Sequence, residues 1–153
     1  MFEALETGIG LDVVLWFQST RTPLLDILAL FLNSMNRDLI YLVFLAFIYW
    51  SWDKTLGVRA LLLMLIAAIS LSILKRIFHT PRPFMVSDQV VQLVSASLYG
   101  VPSGHSAISL TVWLYLALKV GKRWLIGLAI FYAFLQGLSR MYLGVHYPQD
   151  VII

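Results

Sequence analysis

Three clusters of polar residues break an otherwise apolar chain, and each contains one of its three histidines. The first reads Lys75-Arg76-Ile77-Phe78-His79-Thr80-Pro81-Arg82-Pro83. Proline disfavours helix in the residue before it, so Pro83 keeps Arg82 in extended backbone just past an apolar run. A basic stop signal would need no prolines, and Lys75 with Arg82 reads better as a clamp for an oxyanion. The second cluster, Val101-Pro102-Ser103-Gly104-His105, opens another apolar run. Small residues at a helix start leave backbone N–H groups free at its positive end, which is a ready anion site, and Gly104 permits close backbone approach. Ser103 fits there as an N-cap or as an anion contact, and His105 would project from the first turn towards a bound anion. The third cluster runs from Ser139-Arg140 to His146-Tyr147-Pro148-Gln149-Asp150. If a helix begins near Pro148, Asp150 lies in its first turn and can accept a hydrogen bond from one nitrogen of His146. The other nitrogen is then an unprotonated nucleophile. Carboxylates also orient histidines in metal sites, but few other acids lie nearby and the cations would repel a metal.

Taken in order, the clusters read KxxxxxxRP over Lys75 to Pro83, PSGH over Pro102 to His105, and SRxxxxxHxxxD over Ser139 to Asp150. This ordered set closely resembles the signature motifs of the type 2 phosphatidic acid phosphatase superfamily, which includes membrane lipid phosphate phosphatases, soluble acid phosphatases and vanadium haloperoxidases. The motifs span about half of the chain. The resemblance implies an all-helical bundle and hydrolysis of a phosphomonoester or diphosphate without metal or other cofactor. It also implies roles: His146 as nucleophile, Asp150 as its partner and His105 as acid for the leaving group. Lys75, Arg82, Ser103, Gly104 and Arg140 would bind phosphate.

The elements that must position these groups follow from hydropathy. Of 153 residues, 60% are hydrophobic and 12% charged, with 14% aromatic, against about a quarter charged in soluble domains. Mean hydropathy is +0.85, so lipid is the expected solvent. Charge-free runs of 13 to 16 residues cover Leu39 to Trp52, Ala60 to Leu74, Ser106 to Leu118 and Trp124 to Ser139. Flanking Arg59, Lys119 and Arg123 can lay their stems along apolar surface, and Trp50, Trp52 and Trp124 sit where an aromatic belt would put them. Four membrane spans are therefore expected. Before them, Ile9 to Gln18 and Pro23 to Leu32 read as two short interfacial helices, the second capped by Thr22. The fold class is an all-α, multi-pass transmembrane helical bundle. Residues 1–153 form one membrane-embedded domain, expected to be cut within its final transmembrane helix.

Charge places the bundle in the membrane. Lys54 and Arg59, then Lys119, Lys122 and Arg123, fall on the turns that the positive-inside rule assigns to the cytoplasm, which puts the histidines on the non-cytoplasmic face of a cell membrane protein. Glu3 and Glu6 replace the basic region of a cleaved signal peptide, so insertion is expected to use the internal segments. A net charge of +3 in scattered clusters is no nucleic-acid footprint, and the absence of cysteine excludes thiol chemistry. The expected partners are membrane lipids and a lipid phosphate substrate: phosphatidate, phosphatidylglycerol phosphate, a polyprenyl diphosphate or a sphingoid phosphate. The apolar stretch Val90 to Tyr99 reads equally as a lining for the lipid tail or as a surface loop, and His79 as a solvated loop residue. Two other classes fit part of the pattern. A vanadate-dependent haloperoxidase would share the anion cradle but is soluble and much longer, and a non-catalytic transporter or assembly factor would not need His146, Asp150 and His105 together.

Overall fold

Thr22 and Pro23 start a helix as their types predict: the Thr22 hydroxyl accepts a hydrogen bond from Leu25 N at 3.3 Å, and Pro23 takes the first position. The computed structural model describes residues 8–36, 38–96 and 99–152, so Glu3 and Glu6 lie outside the described residues. Among the described residues the regular elements are helices: α1 (Ile9–Ser19), α2 (Pro23–Met35), α3 (Asp38–Ser51), α4 (Lys54–Phe78), α5 (Pro83–Val86), α6 (Gly104–Val120), α7 (Arg123–Tyr142) and α8 (Pro148–Ile152). The Asp53 carboxylate caps α4 by accepting from Leu56 N at 2.9 Å. Gly121, at φ 75°, ends α6 in the left-handed conformation that glycine adopts without strain.

Three helices share the main core. Tyr41, Leu45 and Ile48 of α3 meet Ala60 and Met64 of α4 and Val112 and Leu116 of α6. The approach of α3 to α4 requires Gly57, where a Cβ would lie 2.8 Å from the Tyr49 Cβ and 2.9 Å from its backbone. α7 packs along α6, and α2 lies against α7. Outward faces remain apolar, with Ile66, Ile69 and Ile73 on α4 and Leu128, Phe131 and Phe134 on α7 all exposed. Such a surface suits hydrocarbon rather than water.

The span count differs from expectation. All four apolar runs are helical, but among the described residues only the stretch Lys54–Val86, which contains α4, and α7 (Arg123–Tyr142) are long and apolar enough to cross a membrane alone. α2 and α3 qualify only as a pair bent by 56°, a broken span or re-entrant element. The 17 residues of α6 rise about 25 Å, short of the roughly 30 Å of a hydrocarbon core. Its run cannot extend towards its N-terminus because the Pro102-Ser103-Gly104 turn occupies that end.

The segment between α5 and α6 also departs from a tail lining. Val90 packs with Val14 and Tyr147, while Leu93, Val94 and Ala96 pack against Ala29, Tyr142, Leu143 and Val145. Gln18 of α1 clamps the segment from outside, its Nε2 donating to Val91 O at 2.7 Å and its Oε1 accepting from Val91 N at 2.9 Å. Val90 is thus buried in the protein's own interior and Leu93, Val94 and Ala96 are partly buried against it, while Val91 stays half exposed.

Candidate active site

His146 and Asp150 meet as their spacing requires. Pro148 opens α8, which places Asp150 in the first turn, where Oδ2 accepts from His146 Nδ1 at 3.0 Å and from Tyr147 N at 3.0 Å. Both side chains are nearly inaccessible, at 1% and 2% exposure. Burial first, then the positive charges of Arg82, Arg140 and Lys75 and the neighbouring His105, hold the His146 pKa well below the ordinary histidine value. The contact with Asp150 is therefore a hydrogen bond from neutral imidazole to carboxylate, not an ion pair. With Nδ1 donating, Nε2 carries the lone pair, and Arg82 Nη1 lies 3.2 Å from it.

The cations come from three separate elements. Arg82 has extended backbone immediately before α5 and is 2% exposed, its Nη1 also donating to Val145 O at 2.5 Å. Lys75 stands in the last turn of α4 and Arg140 in the last turn of α7. Arg140 is buried, and its Nε has no hydrogen-bond partner among the described residues. An unsatisfied buried donor costs about 1 to 3 kcal/mol, more on a charged group, a penalty that an anionic oxygen would relieve.

At the start of α6, Ser103 occupies the N-cap position, but its side chain makes no cap hydrogen bond. Its amide is also unavailable to a ligand, because Ser103 N donates to the Asp150 backbone carbonyl at 2.7 Å. Any first-turn N–H groups left for an anion therefore start at Gly104, one residue later than a run of free amides from Ser103 would have it. A Cβ at Gly104 would meet no protein atom within 4 Å, so the missing side chain leaves room beside those amides. His105 follows in the same turn, its carbonyl accepting from Asn36 Nδ2 at 3.0 Å. His79 takes another role: it ends α4 in the left-handed conformation at φ 48°, and its ring packs edge-on against Tyr99 at 4.6 Å.

Sequence reasoning missed several supporting residues. Asn33 accepts a hydrogen bond from Arg140 Nη1, and Asn36 holds the start of α6; polar side chains one turn apart in an apolar helix were the available signal. Gly137 lets α8 rest on α7, since a Cβ there would lie 2.2 Å from Val151 Cγ1. At Gly100 a Cβ would lie 2.9 Å from Asp150 Oδ2 and 3.4 Å from Pro81 O. The Asp150 side chain is short and doubly bonded, so Gly100→Ala should displace the carboxylate and with it His146. Turnover is expected to fall about 10²-fold, the usual consequence of ångström-scale misplacement. Steady-state kinetics alongside a melting curve check this, and wild-type turnover would show that the carboxylate has slack the structure does not suggest.

Comparison with known proteins places these residues in context. The family model described as the PAP2 superfamily matches residues 56–153. Undecaprenyl-diphosphatase of Sulfolobus acidocaldarius is 29% identical over 151 residues, covering 96% of this chain and 73% of that protein. The crystal structure of Aquifex aeolicus LpxE superposes with a TM-score of 0.83 at 26% identity, covering 95% of this chain and 87% of that one. The transmembrane PAP2 type phosphatidylglycerolphosphate phosphatase of Bacillus subtilis superposes with a TM-score of 0.80 at 24% identity, covering 98% of this chain and 81% of that one, a likeness of fold alone.

Proposed function

Because this chain belongs to the PAP2 superfamily, we propose that it is a membrane phosphatase that removes phosphate from a lipid phosphate or diphosphate through a phosphohistidine on His146. The observation that carries this reading is the buried His146–Asp150 pair at 3.0 Å, with Nε2 facing Arg82 Nη1 at 3.2 Å and the ring in the field of Arg82, Arg140 and Lys75. Phosphoryl transfer needs charge on the equatorial oxygens neutralised and the attack held in line. Lys75, Arg82 and Arg140 supply positive charge, and the first-turn amides of α6 supply oriented donors. Substrate phosphate draws the Arg82 donor away from His146 Nε2, freeing the lone pair. That lone pair forms the P–N bond as the P–O bond to the leaving group breaks, and His105 gives its proton to the departing oxygen. The phosphate's own negative charge offsets the cations and lets His105 carry that proton. In the second step His105 takes a proton from water, the water oxygen bonds phosphorus, and the P–N electrons return to Nε2. Covalent catalysis thus divides one difficult hydrolysis into two easier displacements.

An amphiphile is the substrate class that fits a site at the ends of apolar helices. Its phosphate lies at headgroup depth while its tails stay in lipid, and the likeness to an undecaprenyl-diphosphatase supports a panel of phosphatidate, phosphatidylglycerol phosphate, a polyprenyl diphosphate and a sphingoid phosphate. Phosphate release from that panel by the detergent-solubilised protein is the test. Release should persist in a strong chelator and be blocked by vanadate, which can adopt the five-coordinate geometry of the transferring group. Loss on chelation with recovery on added Mg²⁺ would mean that the protein's cations do not do the metal's work, and no release from any of the lipids would leave a non-catalytic membrane role.

The reading also assigns a side. α4 begins at Lys54 and ends beside Lys75, while α6 begins at the site and ends beside Lys119. The basic turns and the site therefore lie at opposite ends of the same helices. With the turns cytoplasmic, reporters fused near Lys122 should read as inside and one near Asp88 as outside. The reverse pattern would overturn the external site and leave its chemistry untouched.

A further inference from the structure

α2 precedes the segment matched by the family model, which begins at residue 56, yet its last turn reaches the site. Gln136 Nε2, one turn before Arg140 on α7, donates to Leu32 O at 3.0 Å. Asn36 donates to the His105 carbonyl at 3.0 Å and accepts from Ser109 Oγ at 3.0 Å. Between them, the Asn33 side-chain oxygen accepts from Arg140 Nη1. Amides in an apolar setting are costly unless bonded, and here the bonds fall on the helix that carries the proposed acid and on the guanidinium of a proposed phosphate ligand.

We propose that Asn33 is a positioning residue for phosphate binding: it holds the Arg140 guanidinium plane through Nη1 and leaves Nε as a donor for a phosphate oxygen. The inference rests on the phosphatase reading above. Guanidinium is a rigid fork whose donors are useful only in one plane, and the buried Nε has no hydrogen-bond partner among the described residues. A neutral amide suits the task better than a carboxylate would. It orients Arg140 without pairing its charge, whereas an anion at position 33 would compete with the phosphate.

Orthovanadate binding to the full chain in detergent, followed by calorimetry, reads this without relying on turnover. Asn33→Ala should weaken vanadate binding about tenfold, the worth of one hydrogen bond to a charged group. In an Arg140→Ala background the same substitution should change binding less than about twofold, because the two residues act through one contact. Asn33→Asp, isosteric with asparagine, should weaken binding more than Asn33→Ala, and it carries the test if the alanine variant does not fold. Wild-type binding by either variant overturns the inference, as does an undiminished loss in the Arg140→Ala background. If Arg140→Ala alone leaves vanadate binding unchanged, the phosphate role of Arg140 falls and the inference falls with it; a loss there with no effect at position 33 overturns the inference alone.

Discussion

His146→Ala abolishes turnover of every lipid phosphate in the expected outcome, a fall on the order of 10⁴-fold or more as for other covalent nucleophiles, and leaves no labelled phosphoenzyme. The reason is specific to Nε2. Asp150 Oδ2 accepts the Nδ1–H hydrogen bond at 3.0 Å, burial and neighbouring cations keep the ring neutral, and no other described histidine has a buried carboxylate partner. The fold should tolerate the change, because Asp150 still accepts from Tyr147 N and Arg82 still donates to Val145 O. A melting curve close to wild type, with turnover gone, separates loss of the nucleophile from loss of structure. Substantial residual turnover by a folded variant would show that water attacks phosphorus directly and would remove the covalent step from the mechanism.

His105→Ala should behave differently with different leaving groups. A lipid alkoxide needs a proton as it departs, so its release should slow by roughly 10²- to 10⁴-fold, the usual contribution of general acid catalysis. Nitrophenolate leaves without a proton, and the first step on nitrophenyl phosphate should be much less affected. Hydrolysis of the intermediate still lacks its base, so labelled phosphate should accumulate on His146. The measurement is a quench of His105→Ala with labelled nitrophenyl phosphate, beside a His105→Ala/His146→Ala double variant. Acid-labile, base-stable label on the single variant and none on the double supports both assignments. Equal label on the two would mean that another residue is the nucleophile, and equal slowing of both substrates would deny His105 its role as acid.

What could be read in the sequence was what depends on near neighbours. Thr22 with Pro23 and Pro148 before Asp150 set helix starts through contacts within one turn. The His146–Asp150 pair is likewise four residues apart, so its geometry was implicit once α8 began at Pro148. Apolar runs marked the helices because lipid selects the same residues all along a segment.

Length in the bundle and engagement of each polar group were decided elsewhere. The sequence offered four similar runs, but the bend between α2 and α3 and the turn ahead of α6 made two of them too short to cross alone. Ser103 looked like a free amide and is bonded to the Asp150 carbonyl; Val90, Leu93 and Val94 fitted a lipid-tail lining and a surface loop equally and are packed against the protein. Asn33 and Arg140 are separated by 107 residues, and no local pattern pairs them. Composition and spacing by themselves determined the chemistry available and the helices that carry it, because those rest on side-chain type and on bonds within a turn. Which amides stay free, which loop side chains pack inward and which asparagine bonds which arginine were decided only by tertiary packing, because each depends on two distant segments being brought into contact.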